Sequence, residues 1–193
     1  MTDKTDTRDG RDAHARWVGD ALERFEGPLT LYAARLVGDA HRARDVVQEA
    51  FLRLCREERA GVDDHLAAWL YRVTRNLAMD VRRREKHMER TNSAVVDERG
   101  GTGQAPDAAA EAGDEHAKAL RALGALPETQ QEVVRLKFRH GLSYREIAEV
   151  TGLSASHVGV LIHEGMKTLR RRLCPPSAIG ATTANAVNEG GVR

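Results

Sequence analysis

Aromatic side chains are scarce in this 193-residue chain: Phe, Trp and Tyr together make up 4% of it. With so few strand-favouring residues and no sustained alternation of apolar and polar positions, the sequence argues against β architecture. Cysteine is nearly absent. Cys55 and Cys174 stand alone, with no neighbours at metal-ligand spacing and nothing to suggest a disulfide framework. Cys55 continues an apolar helix face and is expected to pack in a core. No apolar stretch approaches the roughly 20 residues of a membrane span, and Met1 to Arg16 is polar, without the apolar segment of a signal peptide. A cytoplasmic protein with no membrane span is expected. The histidines at 14, 41, 65, 87, 116, 140, 157 and 163 are scattered, none at ligand spacing with a carboxylate or thiol. No glycine-rich phosphate loop and no nucleophile with a partnered base is recognisable. The expectation is therefore a protein that is not an enzyme and holds no cofactor or metal.

What is abundant is Ala, Leu, Arg and Glu, all helix formers. The net charge of +1 hides a strong polarity. Residues 1–70 carry a net −3, 71–90 a net +4, 91–117 a net −5 and 118–173 a net +5, so an acidic spacer separates two basic blocks. The spacer holds Gly100, Gly101, Gly103, Pro106 and Gly113 among Ala, Asp and Glu. It has too little apolar surface to offset the entropy of ordering and is expected to be a flexible linker. The stretch after Pro175 is expected to be disordered for the same reason.

Before the spacer, Trp17, Ala21, Leu22 and Phe25 start an apolar face that Leu29, Ala33 and Leu36 continue past Pro28. Gly38-Asp39 gives a stop and a new N-cap. Ala43, Val46, Val47, Ala50, Phe51 and Leu54 form a second helical stripe. After Gly61, Leu66, Trp69, Leu70, Val73, Leu77 and Val81 form a third, which runs into Arg82-Arg83-Arg84. After the spacer, Leu120, Leu123 and Leu126 precede Pro127, which breaks one helix and opens the next; Val133, Val134, Leu136 and Phe138 make that next helix's face. Ser143 and Glu146 have capping-box spacing, and Ser154 is a further N-cap. A short helix through Val150, a turn at Gly152 and a final helix to about Leu173 have the proportions of a helix-turn-helix. Ala148 is small where two helices would approach, Gly152 suits a left-handed turn, and Ile147, Leu153, Val158 and Leu161 supply the apolar contacts. Ser154, Ser156, His157, Gly159, Val160, His163 and Lys167 are then the candidate DNA-contacting residues of the last helix, with Arg170, Arg171 and Arg172 placed for phosphates.

Two further stretches carry a resemblance. Asp45-Val-Val-Gln-Glu-Ala-Phe-Leu-Arg-Leu54 and Trp69-Leu-Tyr-Arg-Val-Thr-Arg-Asn-Leu-Ala-Met-Asp-Val-Arg-Arg83, followed by Leu126-Pro127 and Gly141-Leu-Ser-Tyr-Arg-Glu-Ile-Ala-Glu149, are similar to the extracytoplasmic-function (ECF) sigma factors, in that family's order. The resemblance implies an all-α fold of two small helical domains joined by a flexible acidic linker, the C-terminal one a helix-turn-helix. An N-terminal sigma domain is expected over 17–90, the linker over 91–116, the C-terminal sigma domain over 117–174 and the tail over 175–193. The implied activity is to bind core RNA polymerase and direct promoter-specific initiation, and an anti-sigma factor is an implied partner beside the polymerase and promoter DNA. The resemblance also implies a polymerase-binding stripe of Asp45, Gln48, Glu49 and Arg53. Trp69, Arg72, Arg75, Asn76, Asp80, Arg82 and Arg83 would melt the duplex and read the minus-ten element. Trp69 can be read as a stacking surface or as core, and the Arg run as phosphate contacts or as a solvated face.

The recognition helix departs from the family pattern. Gly159, Leu161 and Glu164 stand where basic side chains are usual, and fewer cations mean weaker and less salt-sensitive DNA binding. Upstream-element contact is either unusual here or made through backbone approach with His157, His163 and Lys167. A stand-alone helix-turn-helix regulator with an N-terminal sensing or dimerisation domain is the alternative reading, and the two N-terminal motifs are what separate it from a sigma factor.

Overall fold

The structure is a computed structural model and describes residues 6–92 and 114–174. All regular elements among the described residues are helical. The stretch from 93 to 113, most of the expected linker, and the tail from 175 lie outside them. At the margins of the former the chain is helical, because α4 runs to Asn92 and α5 starts at Asp114.

The first bundle comprises α1 (Asp6–Val37), α2 (Ala40–Leu54), the four-residue α3 (Arg59–Val62), a 3₁₀ turn at Asp63–His65 and α4 (Leu66–Asn92). Helix α1 starts ahead of the domain boundary expected at 17 and passes through Pro28 without a break. Proline removes one backbone hydrogen bond, at a cost of about 3 kcal/mol. Burial of Phe25, Leu29, Tyr32 and Ala33 around it, at roughly 1.5–3 kcal/mol for each large side chain, outweighs that loss. Gly38 ends α1 with a left-handed φ of 73°. Asp39 then caps α2, its carboxylate accepting from the Arg42 amide at 2.8 Å. Helices α1, α2 and α4 pack mutually, and Trp17 locks the start of the bundle by donating from Nε1 to Asp63 at 3.0 Å.

The second bundle comprises α5 (Asp114–Gly124), α6 (Glu128–Phe138), α7 (Tyr144–Thr151) and α8 (Ala155–Leu173). The capping box forms in full: Ser143 Oγ accepts from the Glu146 amide, and the Glu146 carboxylate accepts from the Ser143 amide at 2.7 Å. Gly152 turns the chain with φ 74°, and Ser154 caps α8. Gly165 lets α8 lie close on α6. A Cβ there would stand 3.0 Å from Val134 Cγ2 and 3.6 Å from Leu126 Cδ1.

Three expected core positions lie on the surface. Leu22 is 40% exposed because it sits off the line of Trp17, Ala21, Phe25 and Leu29. Phe138 is 61% exposed; it is the last residue of α6, one turn beyond the covered Val134. Cys55 is exposed because α2 stops at Leu54 and the chain turns away there.

The bundles also touch each other. Helix α4 packs on α7, and the buried residues of both halves belong to one contiguous cluster. Across the seam, side chains of α6 also reach α4 and α1.

Candidate nucleic-acid interface

Helix α2 buries Ala43, Val46, Val47, Ala50, Phe51 and Leu54. Its opposite side presents Asp45, Gln48 and Arg53 to solvent with Glu49 half-buried beside them. Arg53 Nε donates to Glu49 Oε1 at 3.1 Å, so these two hold one another in place. Sequence reasoning passed over Leu52, which is 53% exposed in the midst of this polar stripe. An apolar side chain that bundle packing leaves uncovered is the signal that marks it, and only the structure provides that signal.

Helix α4 separates its polar residues into two faces. Arg72, Asn76, Asp80 and Arg83 fall on one side, and Tyr71, Arg75 and Arg82 on a side about 100° away. The first face is open: Arg72, Asn76 and Arg83 are exposed, and Arg83 Nη1 donates to Asp80 at 3.1 Å. The second face is taken up by the C-terminal bundle. Arg75 reaches Glu132 with Nε at 2.9 Å and Nη2 at 3.4 Å, a two-pronged guanidinium–carboxylate pair. Arg82 Nη1 donates to Glu128 at 2.9 Å. Trp69 is only 7% exposed, enclosed where the start of α4 joins the core, and offers no stacking face in this arrangement.

Tyr32, Tyr71, Glu128, Glu132 and His140 were not flagged from the sequence, yet they build this seam. The Tyr32 hydroxyl donates to Glu132 at 2.7 Å. Burial first, and then the Glu132 charge, push the Tyr32 pKa well above its ordinary value, so the phenol stays a donor. The Tyr71 hydroxyl lies 2.5 Å from His140 Nδ1, and burial raises the pKa of Tyr71 too. His140 is driven the other way, down to about 4, by burial and then by Arg139, Arg35 and Arg135. The imidazole is therefore neutral and accepts a hydrogen bond from the Tyr71 hydroxyl, which keeps its proton.

On α8 the phase is favourable. Ser156, Val160, His163 and Lys167 share one exposed side, with His157 next to them. The Ser154 hydroxyl is engaged as the cap of α8, accepting from the His157 amide at 3.2 Å. Gly159 is half-buried and faces the Tyr144 ring, while Lys137 Nζ sits 5.4 Å from that ring's centre. Val160, 54% exposed, is an apolar side chain aimed outward from the first turns of the helix.

The comparisons with known proteins agree along the chain. Residues 21–88 match the model for Sigma-70 region 2, and residues 116–169 match the model for Sigma-70 region 4. The ECF RNA polymerase sigma factor SigL of Mycobacterium tuberculosis is 31% identical over 147 residues, covering 75% of this chain and 82% of that one. The chain belongs to the ECF RNA polymerase sigma factors. Another member, SigW of Bacillus subtilis, is 26% identical over 163 residues, covering 80% of this chain and 87% of its own. The fold recurs in the solved structure of the sigma factor RpoE in complex with the anti-sigma factor NepR from Bartonella quintana. That structure has a TM-score of 0.55 and 20% identity, and the match covers 80% of this chain and 95% of RpoE.

As a sigma factor the protein binds core RNA polymerase and directs transcription initiation at promoters. A region 2 spanning α1 to α4 disfavours the alternative of a regulator whose first domain senses or dimerises. Among the described residues no group of His, Cys, Asp and Glu could hold a metal ion, and no helix is long and apolar enough to cross a membrane.

Proposed function

We propose that three exposed helix faces divide the work of initiation. The α2 face of Asp45, Gln48, Glu49 and Arg53, with Leu52 at its centre, docks on the core polymerase. The open α4 face of Arg72, Asn76, Asp80 and Arg83 engages the minus-ten strand as the duplex opens, with guanidiniums on phosphates and Asn76 within reach of a base. The α8 face of Ser156, His157, Val160, His163 and Lys167 enters the major groove of the upstream element, where Val160 suits a thymine methyl. Arg75, Arg82, Trp69, Ser154 and Gly159 act from behind these faces or become available when the bundles part. The protein works in the cytoplasm and contributes no catalytic chemistry of its own. An anti-sigma factor holds it, as NepR accompanies RpoE in their complex.

The observation that carries this reading is the phase of α4. Arg72, Asn76 and Arg83 share an exposed side of the helix in the segment that matches region 2. The test is Arg72→Ala with Arg83→Ala in holoenzyme reconstituted on a promoter recovered by transcription of a genomic library. Loss of two phosphate contacts should lower open-complex formation by about tenfold at moderate salt and flatten its salt dependence, while co-purification with core polymerase is unchanged. Permanganate footprinting reads the first quantity. Normal melting by the double variant would remove α4 from the DNA path.

A further inference from the structure

We propose that the side of α6 bearing Glu128 and Glu132, with His140 just past its end, is an internal latch that competes with promoter DNA for the Arg75 and Arg82 flank of α4. The inference rests on the reading of α4 as a DNA-contacting helix.

The register is the first observation. Going up α6, the partners Glu128, Glu132 and His140 meet Arg82, Arg75 and Tyr71 in turn, so the two helices run antiparallel with matched functional groups. Glu128 and Glu132 are one helical turn apart, about 6 Å between Cβ atoms, and each meets a guanidinium of α4. A guanidinium pairs with a carboxylate or with a phosphate through the same N–H groups. Arg75 and Arg82 therefore serve α6 or a nucleic-acid backbone, never both at once. Tyr32 extends the latch to α1 through the same Glu132 oxygen that Arg75 Nε uses.

The second observation is that the seam contains its own opposition. Arg35 of α1, Arg135 of α6 and Arg139 just past the end of α6 lie close enough to feel one another's charge. The buried Nε of Arg135 has no acceptor. Such a group costs more than a made hydrogen bond returns, so the closed form is held by the acidic pairs and strained by the basic cluster. An interface of this kind suits a latch that a competing partner releases rather than a permanent core.

The protein supplies its own reporters, because Cys55 lies in the first bundle, Cys174 in the second, and both are exposed. Donor and acceptor dyes on these two cysteines of the full-length protein read the closure. Glu128→Gln with Glu132→Gln should lower energy transfer. The same variant should bind a fork oligonucleotide with a single-stranded minus-ten segment at least fivefold more tightly, by fluorescence anisotropy. Adding Arg75→Ala and Arg82→Ala should abolish that gain. Glu23→Gln with Glu26→Gln on the exposed part of α1 removes the same charge and should give no gain. Because Glu132 is largely buried, a charge swap at the exposed Arg82–Glu128 pair provides a second route: Arg82→Glu should open the molecule and added Glu128→Arg should close it again.

Unchanged energy transfer in both sets of variants overturns the latch. So does an affinity gain that survives loss of Arg75 and Arg82 or appears equally in the α1 control. An opened molecule with unaltered DNA affinity overturns the competition. Failure of the underlying reading is seen separately, as normal promoter melting by the Arg72 and Arg83 variant in holoenzyme.

Discussion

Acidification from pH 7.5 to 5.0 should loosen the seam between the bundles, through His140. This side chain faces the Tyr71 hydroxyl on α4 at 2.5 Å and the Tyr32 ring on α1 at 6.3 Å between centroids. It also faces the guanidiniums of Arg35 on α1 and of Arg135 and Arg139 on its own segment. Burial and these three cations hold its pKa at about 4 in the closed form, against an ordinary value near 6.5 once the seam opens and water reaches it. Above pH 6.5 the imidazole is neutral in both forms and closure has its full strength. As pH falls from 6.5 toward 4, only the open form takes up a proton, so closure weakens progressively and the loss levels off below 4. The whole window corresponds to roughly 3 kcal/mol at about 1.4 kcal/mol per unit. His140 is only partly buried, and solvent screening reduces this to about 1–2 kcal/mol. At pH 5 the expected shift is about 1 kcal/mol, or roughly fivefold in the closed-to-open ratio. Energy transfer between dyes on Cys55 and Cys174, followed across pH, measures it. His140→Gln keeps an acceptor for Tyr71 and leaves the other histidines in place, so it should flatten the curve between pH 6.5 and 4. A wild-type signal constant from pH 7.5 to 5.0, or an equal slope in the variant, refutes the reasoning.

The glycines of α8 should respond in opposite directions. Gly159→Ala places a methyl 3.6 Å from the Tyr144 ring, an ordinary contact, and should stabilise the helix by about 1 kcal/mol, seen as a higher Tm. Gly165→Leu drives a branched side chain toward Val134 and Leu126 and should cost about 1–3 kcal/mol, with a lower Tm and weakened upstream-element binding. Ser143→Ala removes the donor-facing arm of the capping box and should cost about 0.5–2 kcal/mol, appearing as faster amide exchange in α7. Trp17→Phe loses the bond to Asp63 and should cost about 1 kcal/mol, with the unfolding midpoint in urea as the readout.

Much of the local architecture was legible in the sequence because helix signals are short-range. Asp39, Ser143 and Ser154 cap the helices they were expected to cap, and Gly38 and Gly152 turn the chain at positive φ. Each of these rests on groups within about one helical turn of each other. The apolar period likewise marked Leu29, Val47, Leu54, Leu70, Val133 and Val158 as interior, and all are buried. The motifs along α2, α4 and α7 carry the family resemblance in the sequence alone.

Tertiary structure decided what periodicity cannot see. A helical period shows that a face is apolar but not where its covering ends, which is why Phe138 and Leu22 emerge into solvent. Pro28 looks like a place where α1 could break, and burial on both sides of it carries the helix through. The division of α4 into an open and an occupied face has no local signature at all. Arg75 and Glu132 are 57 residues apart in sequence, and Tyr32 and Glu132 are 100 apart. A charge pairs with whatever the fold brings within a few ångströms, and that proximity belongs to the packed chain.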